Sequence, residues 1–265
     1  GQANSKITDS STGTRATSWS STSDSDYSRV SYFGRAEYNF ADRYYAELSL
    51  RTDGSSRFGK NNRWGLFGAI GFMWNLRNES FMSPYRDWLT NAQIAFSSGT
   101  SGNSEIPNYE HLALIGGGSD YVGDAGVAPI QPGNEDLTWE NTWTTNLASH
   151  FGFWNRLNVD LEFHNKKTPD MSMSVPLAYS QSNGYGYKWS NVGAMVNRGA
   201  ELALNAVLVQ IRDFMWNVNV NVGYNHNRLT ELYNGVTEYE TSNTSTKLVV
   251  GHPVGEFYIN RYAGV

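Results

Sequence analysis

Five histidines, His111, His150, His164, His226 and His252, carry most of what base or metal chemistry the sequence offers. No two of them stand four residues apart as in a helical metal site, and the chain has no cysteine, so no thiolate site and no disulfide framework can form. They read as isolated strand or loop histidines. Asp120 and Asp124 sit in a glycine-rich stretch but lack the ligand spacing of a recognised calcium loop. Neither a G-x-S-x-G nucleophile elbow nor a phosphate-binding P-loop occurs. The sequence therefore gives no reason to expect an enzyme, a metal or a cofactor. A different kind of chemistry is present in two loops, 100–137 and 169–190, which hold Tyr109, Tyr121, Tyr179, Tyr185, Tyr187 and Trp189 among Asn and Asp residues. Aromatic faces beside polar groups suit stacking on a sugar. The same faces suit packing against a partner protein or plain loop folding, and the residues alone leave all three open. The segment Asp53–Asn62 is a further candidate: Asp53-Gly54 is turn chemistry, and Arg51 and Arg57 are placed to pair with acidic groups, as a loop staple or as a contact to something bound.

These residues must be positioned by strands, because the dominant hydrophobic period is two. In Tyr44–Arg51, Tyr44, Ala46, Leu48 and Leu50 share one face, and Tyr45, Glu47, Ser49 and Arg51 the other. Leu157, Val159, Leu161 and Phe163 alternate with Asn158, Asp160, Glu162 and His164. Trp216, Val218, Val220, Val222 and Tyr224 oppose Asn217, Asn219, Asn221 and Asn225. Such alternation builds strands with one apolar and one polar face. Eight strands are expected, at 28–40, 43–53, 63–77, 88–98, 138–152, 156–168, 192–210 and 214–229, with a ninth near 247–260. Most exceed ten residues, longer than ordinary globular strands and long enough to cross a bilayer when tilted.

The connections alternate in length. Those at 41–42, 153–155 and 211–213 are short, 78–87 is moderate with one helical turn expected at Tyr85–Trp88, and 54–62, 99–137, 169–191 and 230–246 are longer. Tight turns at one end and extended loops at the other are the asymmetry of outer-membrane barrels. Trp64 and Trp74 share parity ten residues apart. That is about 33 Å of strand, or about 25 Å of membrane normal at a tilt of about 40°, close to the height between two aromatic girdles. Phe40, Trp74, Phe151 and Trp216 are expected together at the short-turn end. Composition agrees: charged residues are only 17%, aromatics reach 14%, and no run of about 18 apolar residues could form a transmembrane helix. The net charge of −5 argues against a nucleic-acid partner.

Beginning at Arg51, the sequence reads R-T-D-G-S-S-R-F-G, and here the chain resembles the SusC/RagA family of TonB-dependent outer-membrane transporters. Further segments resemble the same barrel in the same order: Y-F-G-R-A-E-Y-N-F-A-D-R-Y at 32–44, N-E-S-F-M at 78–82, S-G-T-S-G-N at 98–103, G-N-E-D-L-T-W-E at 133–140, N-K-K-T-P-D at 165–170, N-V-G-A-M-V-N-R-G-A-E at 191–201 and G-H-P-V-G-E-F-Y at 251–258. The resemblance implies an all-β fold, namely an antiparallel transmembrane β-barrel segment. It would supply about eight or nine strands of a barrel of about 22 strands with a plugged lumen. Residues 1–27 would be a polar Ser/Thr-rich extracellular loop and residues 28–265 the partial barrel, without plug or final strands. It further implies an outer-membrane location and import of oligosaccharides or peptides. The implied partners are a SusD-like surface lipoprotein, TonB acting through a region not in this chain, and the lipid bilayer. A passive porin or adhesive barrel is the alternative, and a secreted carbohydrate-binding β-sandwich a more distant one. Closing these strands alone into an eight-stranded barrel would require a lumen packed with side chains.

Overall fold

The computed structural model describes residues 24–121, 124–177, 186–240, 245–259, 262 and 264. Its main feature is one antiparallel sheet of eight strands. In chain order the strands are β1 (Arg29–Phe40), β2 (Tyr44–Ser55), β3 (Trp64–Asn75), β4 (Leu89–Asn103), β5 (Leu114–Tyr121), β6 (Asp124–Gln131), β7 (Glu140–Phe153), β8 (Leu157–Pro176), β9 (Tyr187–Ile211), β10 (Phe214–Glu231), β11 (Glu238–Glu240) and β12 (Lys247–Val249). The large sheet runs β1-β2-β3-β4-β7-β8-β9-β10, while β5–β6 and β11–β12 are separate two-stranded hairpins. Every neighbour in the large sheet is the next large strand along the chain, so the topology is a pure meander, as short turns between antiparallel strands require. β1 and β10 do not pair with each other, so the sheet is open and no eight-stranded barrel closes.

All eight expected long strands form, and the structure corrects four details around them. The stretch 99–137 is not one loop: β4 continues to Asn103 and the β5–β6 hairpin stands within it. The stretch 169–191 is largely strand, because β8 and β9 run on as a ladder up to the Pro176↔Tyr187 pair. The glycine-rich β5–β6 stretch leaves little period to read, whereas the β8 extension has an apolar face of Met171, Met173 and Val175 that alternates with Ser172 and Ser174. The expected helical turn at Tyr85–Trp88 lies earlier, as 3-10 segments at Leu76–Asn78 and Ser80–Tyr85. Near 247–260 no ninth strand of the large sheet forms among the described residues; Lys247–Val249 pairs with Glu238–Glu240. Gly251 and Gly255, both at positive φ, break the extended run that follows.

The register fixes the two faces. Phe40↔Tyr44, Tyr44↔Trp74, Trp74↔Ile94 and Ile94↔Ser149 form one cross-strand row on the apolar face. Farther along, Phe163↔Ala200 and Ala200↔Tyr224 belong to the same face. On that face Leu48, Leu50, Leu66, Ile70, Phe72, Leu147, Phe163, Val220 and Val222 all stand more than 40% exposed, uncovered by any described residue. Across β8, β9 and β10 the apolar rows stop at one level, where Asn165 pairs with Arg198 and Arg198 with His226. The opposite face carries Arg35, Glu37, Glu47, Asn146, Asp160, Glu162, Glu201, Asn219 and Asn221. Phe33 is an exception there, at 82% exposed.

Buried side chains concentrate instead at the long-loop end. One cluster joins Phe58, Phe67, Ile106, Leu137 and Trp139. A second joins Met173, Val175, Leu229 and Leu232 under the segment that carries β11 and β12. Phe67 shares strand parity with Gly65 and Gly71 on the polar face, so the first cluster draws its loops over that face rather than over the apolar one.

Candidate functional site

The candidate site is built where β2 ends. Asp53 is almost fully buried and accepts Arg51 Nε at 2.8 and 2.9 Å, with Arg29 Nη2 at 3.4 Å. Two guanidiniums on one buried carboxylate compensate the cost of taking it out of water. The chain then turns. Ser55 N–H donates to Arg63 O at 3.0 Å and Ser56 N–H to Ser28 O at 3.0 Å. Among the described residues Arg57 meets no carboxylate. Its Nε donates to Asn108 Oδ1 at 2.7 Å, its Nη1 to Ser104 O at 2.9 Å, and its guanidinium lies 4.1 Å from the centre of the Tyr27 ring.

Phe58 is fully buried with its ring 4.9 Å from that of Trp139, whose indole Nε1 donates to Arg63 O at 3.0 Å. Gly59 N–H donates to Leu137 O at 3.2 Å, and a Cβ on Gly59 would fall 1.9 Å from Glu135 O. Only glycine allows that approach. The run R-T-D-G-S-S-R-F-G is thus a staple in which charged, aromatic and glycine residues each make a separate tie.

Two more loops lock onto it. Asn191 accepts from Thr138 N–H at 3.0 Å and donates to Thr138 O at 2.9 Å and Ser172 Oγ at 3.0 Å. Asn134 Nδ2 donates to Trp189 O at 2.7 Å. Gln131 Nε2 donates to both Tyr109 O and Leu112 O at 2.8 Å, closing the turn 109–112. Inside this knot Glu110 is buried with Oε2 unpartnered, and burial pushes its carboxyl above the ordinary carboxylate range.

The aromatic residues expected from sequence are distributed, not gathered. Tyr109, at φ +69°, donates its hydroxyl to Asp26 Oδ1 at 2.7 Å and accepts from Asp26 N–H at 3.1 Å. Trp189 packs against the Phe58–Trp139 cluster. Tyr187 stands 45% exposed at the tip of β9, opposite Pro176. Tyr121 ends β5, paired with Asp124 at the hairpin tip. Tyr179 and Tyr185 lie outside the described residues.

Sequence reasoning did not foresee how charge is arranged on the polar face. Glu37 pairs directly with Glu47 across β1–β2, and Arg35 bridges both. Glu162 pairs directly with Glu201 across β8–β9, beside His150, whose Nδ1 lies 2.7 Å from Asp160 Oδ1. Between these acidic flanks the floor is made of Gly71, Ala95, Ser97 and Ala148, and a cavity of about 730 Å³ opens over it. Alternation revealed which residues face inward, but only the register shows which like charges meet. No group of histidine, aspartate and glutamate side chains among the described residues is arranged to hold a metal.

The chain was compared with known proteins. A family model described as TonB dependent receptor-like, beta-barrel, matches residues 2–260. The TonB-dependent receptor SusC of Bacteroides thetaiotaomicron is 33% identical over 214 residues, 78% of this chain and 21% of SusC. The TonB-dependent receptor P39 of Formosa agariphila is 35% identical over 203 residues, covering 76% of this chain and 19% of P39. Among solved structures, the RagAB peptide transporter superposes with a TM-score of 0.81 at 35% identity, over 90% of this chain and 26% of that one. The chain thus spans about a fifth to a quarter of the length of the relatives it matches.

Proposed function

The chain belongs to the TonB-dependent receptor β-barrel family of the outer membrane, and from that premise we propose that it forms lumen wall and external loops of a SusC/RagA-type importer of oligosaccharides or peptides. The observation that carries this reading is the two-faced sheet. Its apolar face is bare, aromatic at both ends and level at its upper edge; its polar face is charged and capped by folded loops. A bare apolar face of this extent is stable only against lipid. β1 and β10 offer unpaired edges that hydrocarbon does not tolerate, so each pairs with a further strand of the same barrel. The loop knot is the mouth, where substrate binds before passing the polar face. Of the six aromatics, exposed Tyr187 is the best placed to stack on it, while Tyr109 and Trp189 hold the mouth in shape. A SusD-like lipoprotein covers the mouth and TonB supplies the energy through a part of the protein outside this chain. Support for a peptide cargo comes from the likeness to the RagAB peptide transporter; an oligosaccharide cargo is what the sequence resemblance to the SusC/RagA family implies.

The test is uptake by cells that depend on the full-length protein. Deleting it should abolish growth on its oligosaccharide or peptide while leaving growth on the monomer intact, and deleting TonB should do the same. Growth on the oligomer that continues without TonB would replace the importer with a passive pore.

A further inference from the structure

The short-turn end holds a second organised region, the segment 76–88 between β3 and β4. Its position is set by Glu79, whose Oε1 accepts Tyr44 OH at 2.6 Å and Trp74 Nε1 at 3.0 Å, and whose Oε2 accepts Arg43 Nη1 at 3.4 Å. Tyr44 and Trp74 belong to the apolar face, so the segment folds outward over the rim of that face, away from the polar side. Trp154 N–H donates to Trp88 O at 2.7 Å and ties it to the next turn. Trp88 stacks on Phe153 at 6.0 Å and meets Tyr85 at 6.1 Å and Trp154 at 6.3 Å. This aromatic group continues the membrane-facing band, yet Phe81, Tyr85, Trp88 and Trp154 remain 57%, 47%, 39% and 60% exposed.

Charge at this end runs against the rest of the molecule. The chain as a whole has 20 Lys and Arg against 25 Asp and Glu. The turns 41–43, 76–88, 154–156 and 212–213 instead hold five cations, Arg43, Arg77, Arg86, Arg156 and Arg212, against four acids, Asp42, Glu79, Asp87 and Asp213. All five cations are arginine. Glu79 is taken by Arg43, and among the described residues Arg77, Arg86, Arg156 and Arg212 form no ion pair. Arg86 gives its Nε proton to Arg77 O at 3.1 Å and an Nη2 proton to Glu79 O at 3.2 Å, which fixes its guanidinium in the segment and leaves Nη1 to donate outward. A planar guanidinium matches two phosphate oxygens at once, and rings that are part apolar, part polar settle at headgroup depth.

We propose that segment 76–88 and turn 154–156 form a foot that binds the phosphodiester headgroup of a membrane phospholipid, with Arg86 and Arg156 donating to the phosphate and Phe81, Tyr85, Trp88 and Trp154 sunk beside the acyl chains. The proposal rests on the barrel reading above and adds a lipid site to it. The foot is continuous with the lipid-facing band, and that favours lipid over a protein partner.

The test uses the full-length protein, purified in detergent and offered phosphatidylglycerol, diacylglycerol or inorganic phosphate, with bound molecules counted by native mass spectrometry. Phosphatidylglycerol should be retained over diacylglycerol, and Arg86→Gln with Arg156→Gln should lower its retention by roughly fivefold per arginine removed. Arg35→Gln, on the polar face, should retain it like the parent. Arg156 makes no side-chain hydrogen bond to a described residue, so Arg156→Gln alone gives a reading free of folding loss. Equal retention of diacylglycerol, unchanged retention in the double variant, or displacement by inorganic phosphate would each overturn the proposal. So would a second protein subunit released by the same variants. A chain that fails to shift on a gel when boiled would instead remove the barrel itself.

Discussion

At the residue scale, the molecule separates side chains that hold the mouth from those free to act. Phe58 lies at the centre of the loop core, so Phe58→Ala should cost about 3–5 kcal/mol, read as a lower midpoint in urea unfolding of the full-length protein. Asn191→Ala leaves both the N–H and the C=O of Thr138 without a side-chain partner and should cost about 1–3 kcal/mol for each group left unsatisfied. Two carboxylates respond oppositely to pH. The Tyr44, Trp74 and Arg43 hydrogen bonds hold Glu79 below the ordinary carboxylate range. Its contribution is therefore present above the unfolded-state value and lost as pH falls through the lower folded one. Burial raises Glu110, so its own contribution is most favourable below the unfolded-state value and declines as pH rises from that value through the folded one. Glu110→Gln should flatten that decline, and Glu79→Gln should blunt the loss in acid. Thermal midpoints measured across pH check both, and unchanged profiles would remove these two groups from the account.

At the scale of elements, the eight long strands were legible because most of their length alternates, as in Trp216–Tyr224 against Asn217–Asn225, despite exceptions such as Phe33 and Phe67 on the polar face. The β5–β6 hairpin was not, because its glycine-rich stretch carries little two-residue period. The upper part of β8 does alternate, Met171, Met173 and Val175 against Ser172 and Ser174, but the period there is short and Pro169 precedes it. Lys247–Val249 misled for the reverse reason: it is extended, but it pairs locally with Glu238–Glu240, tied by the Lys247–Glu238 ion pair, instead of joining the sheet. The staple at Arg51–Gly59 could be located in sequence but not resolved, since Arg57 turned out to bind Asn108 and Ser104 and, among the described residues, no acid. The opposed Glu162 and Glu201 were invisible without register. Strand faces make a sharp prediction. Val220→Arg places a charge mid-band and should cost about 2–4 kcal/mol, whereas Asn219→Arg, one residue away on the polar face, should be tolerated. Folding titrations in lipid vesicles compare the two, and equal losses would mean that the faces are assigned wrongly.

At the scale of the whole molecule, the burial pattern is that of a wall between two solvents. A soluble sandwich hides one face of each sheet in a shared core. Here the middle of the sheet is open on both sides, and among the described residues the buried apolar side chains other than Leu89 and Ala92 gather at the long-loop end, in the loops and in the strand ends beneath them. The central claim is that alternate residues of one strand face lipid and water. The chain has no cysteine, so single cysteines introduced from Trp216 to Asn225 in the full-length protein report one position each. In native membranes a water-soluble maleimide should label positions 217, 219, 221, 223 and 225 and spare 216, 218, 220, 222 and 224. Labelling without that alternation, or with the parity reversed, would contradict the account.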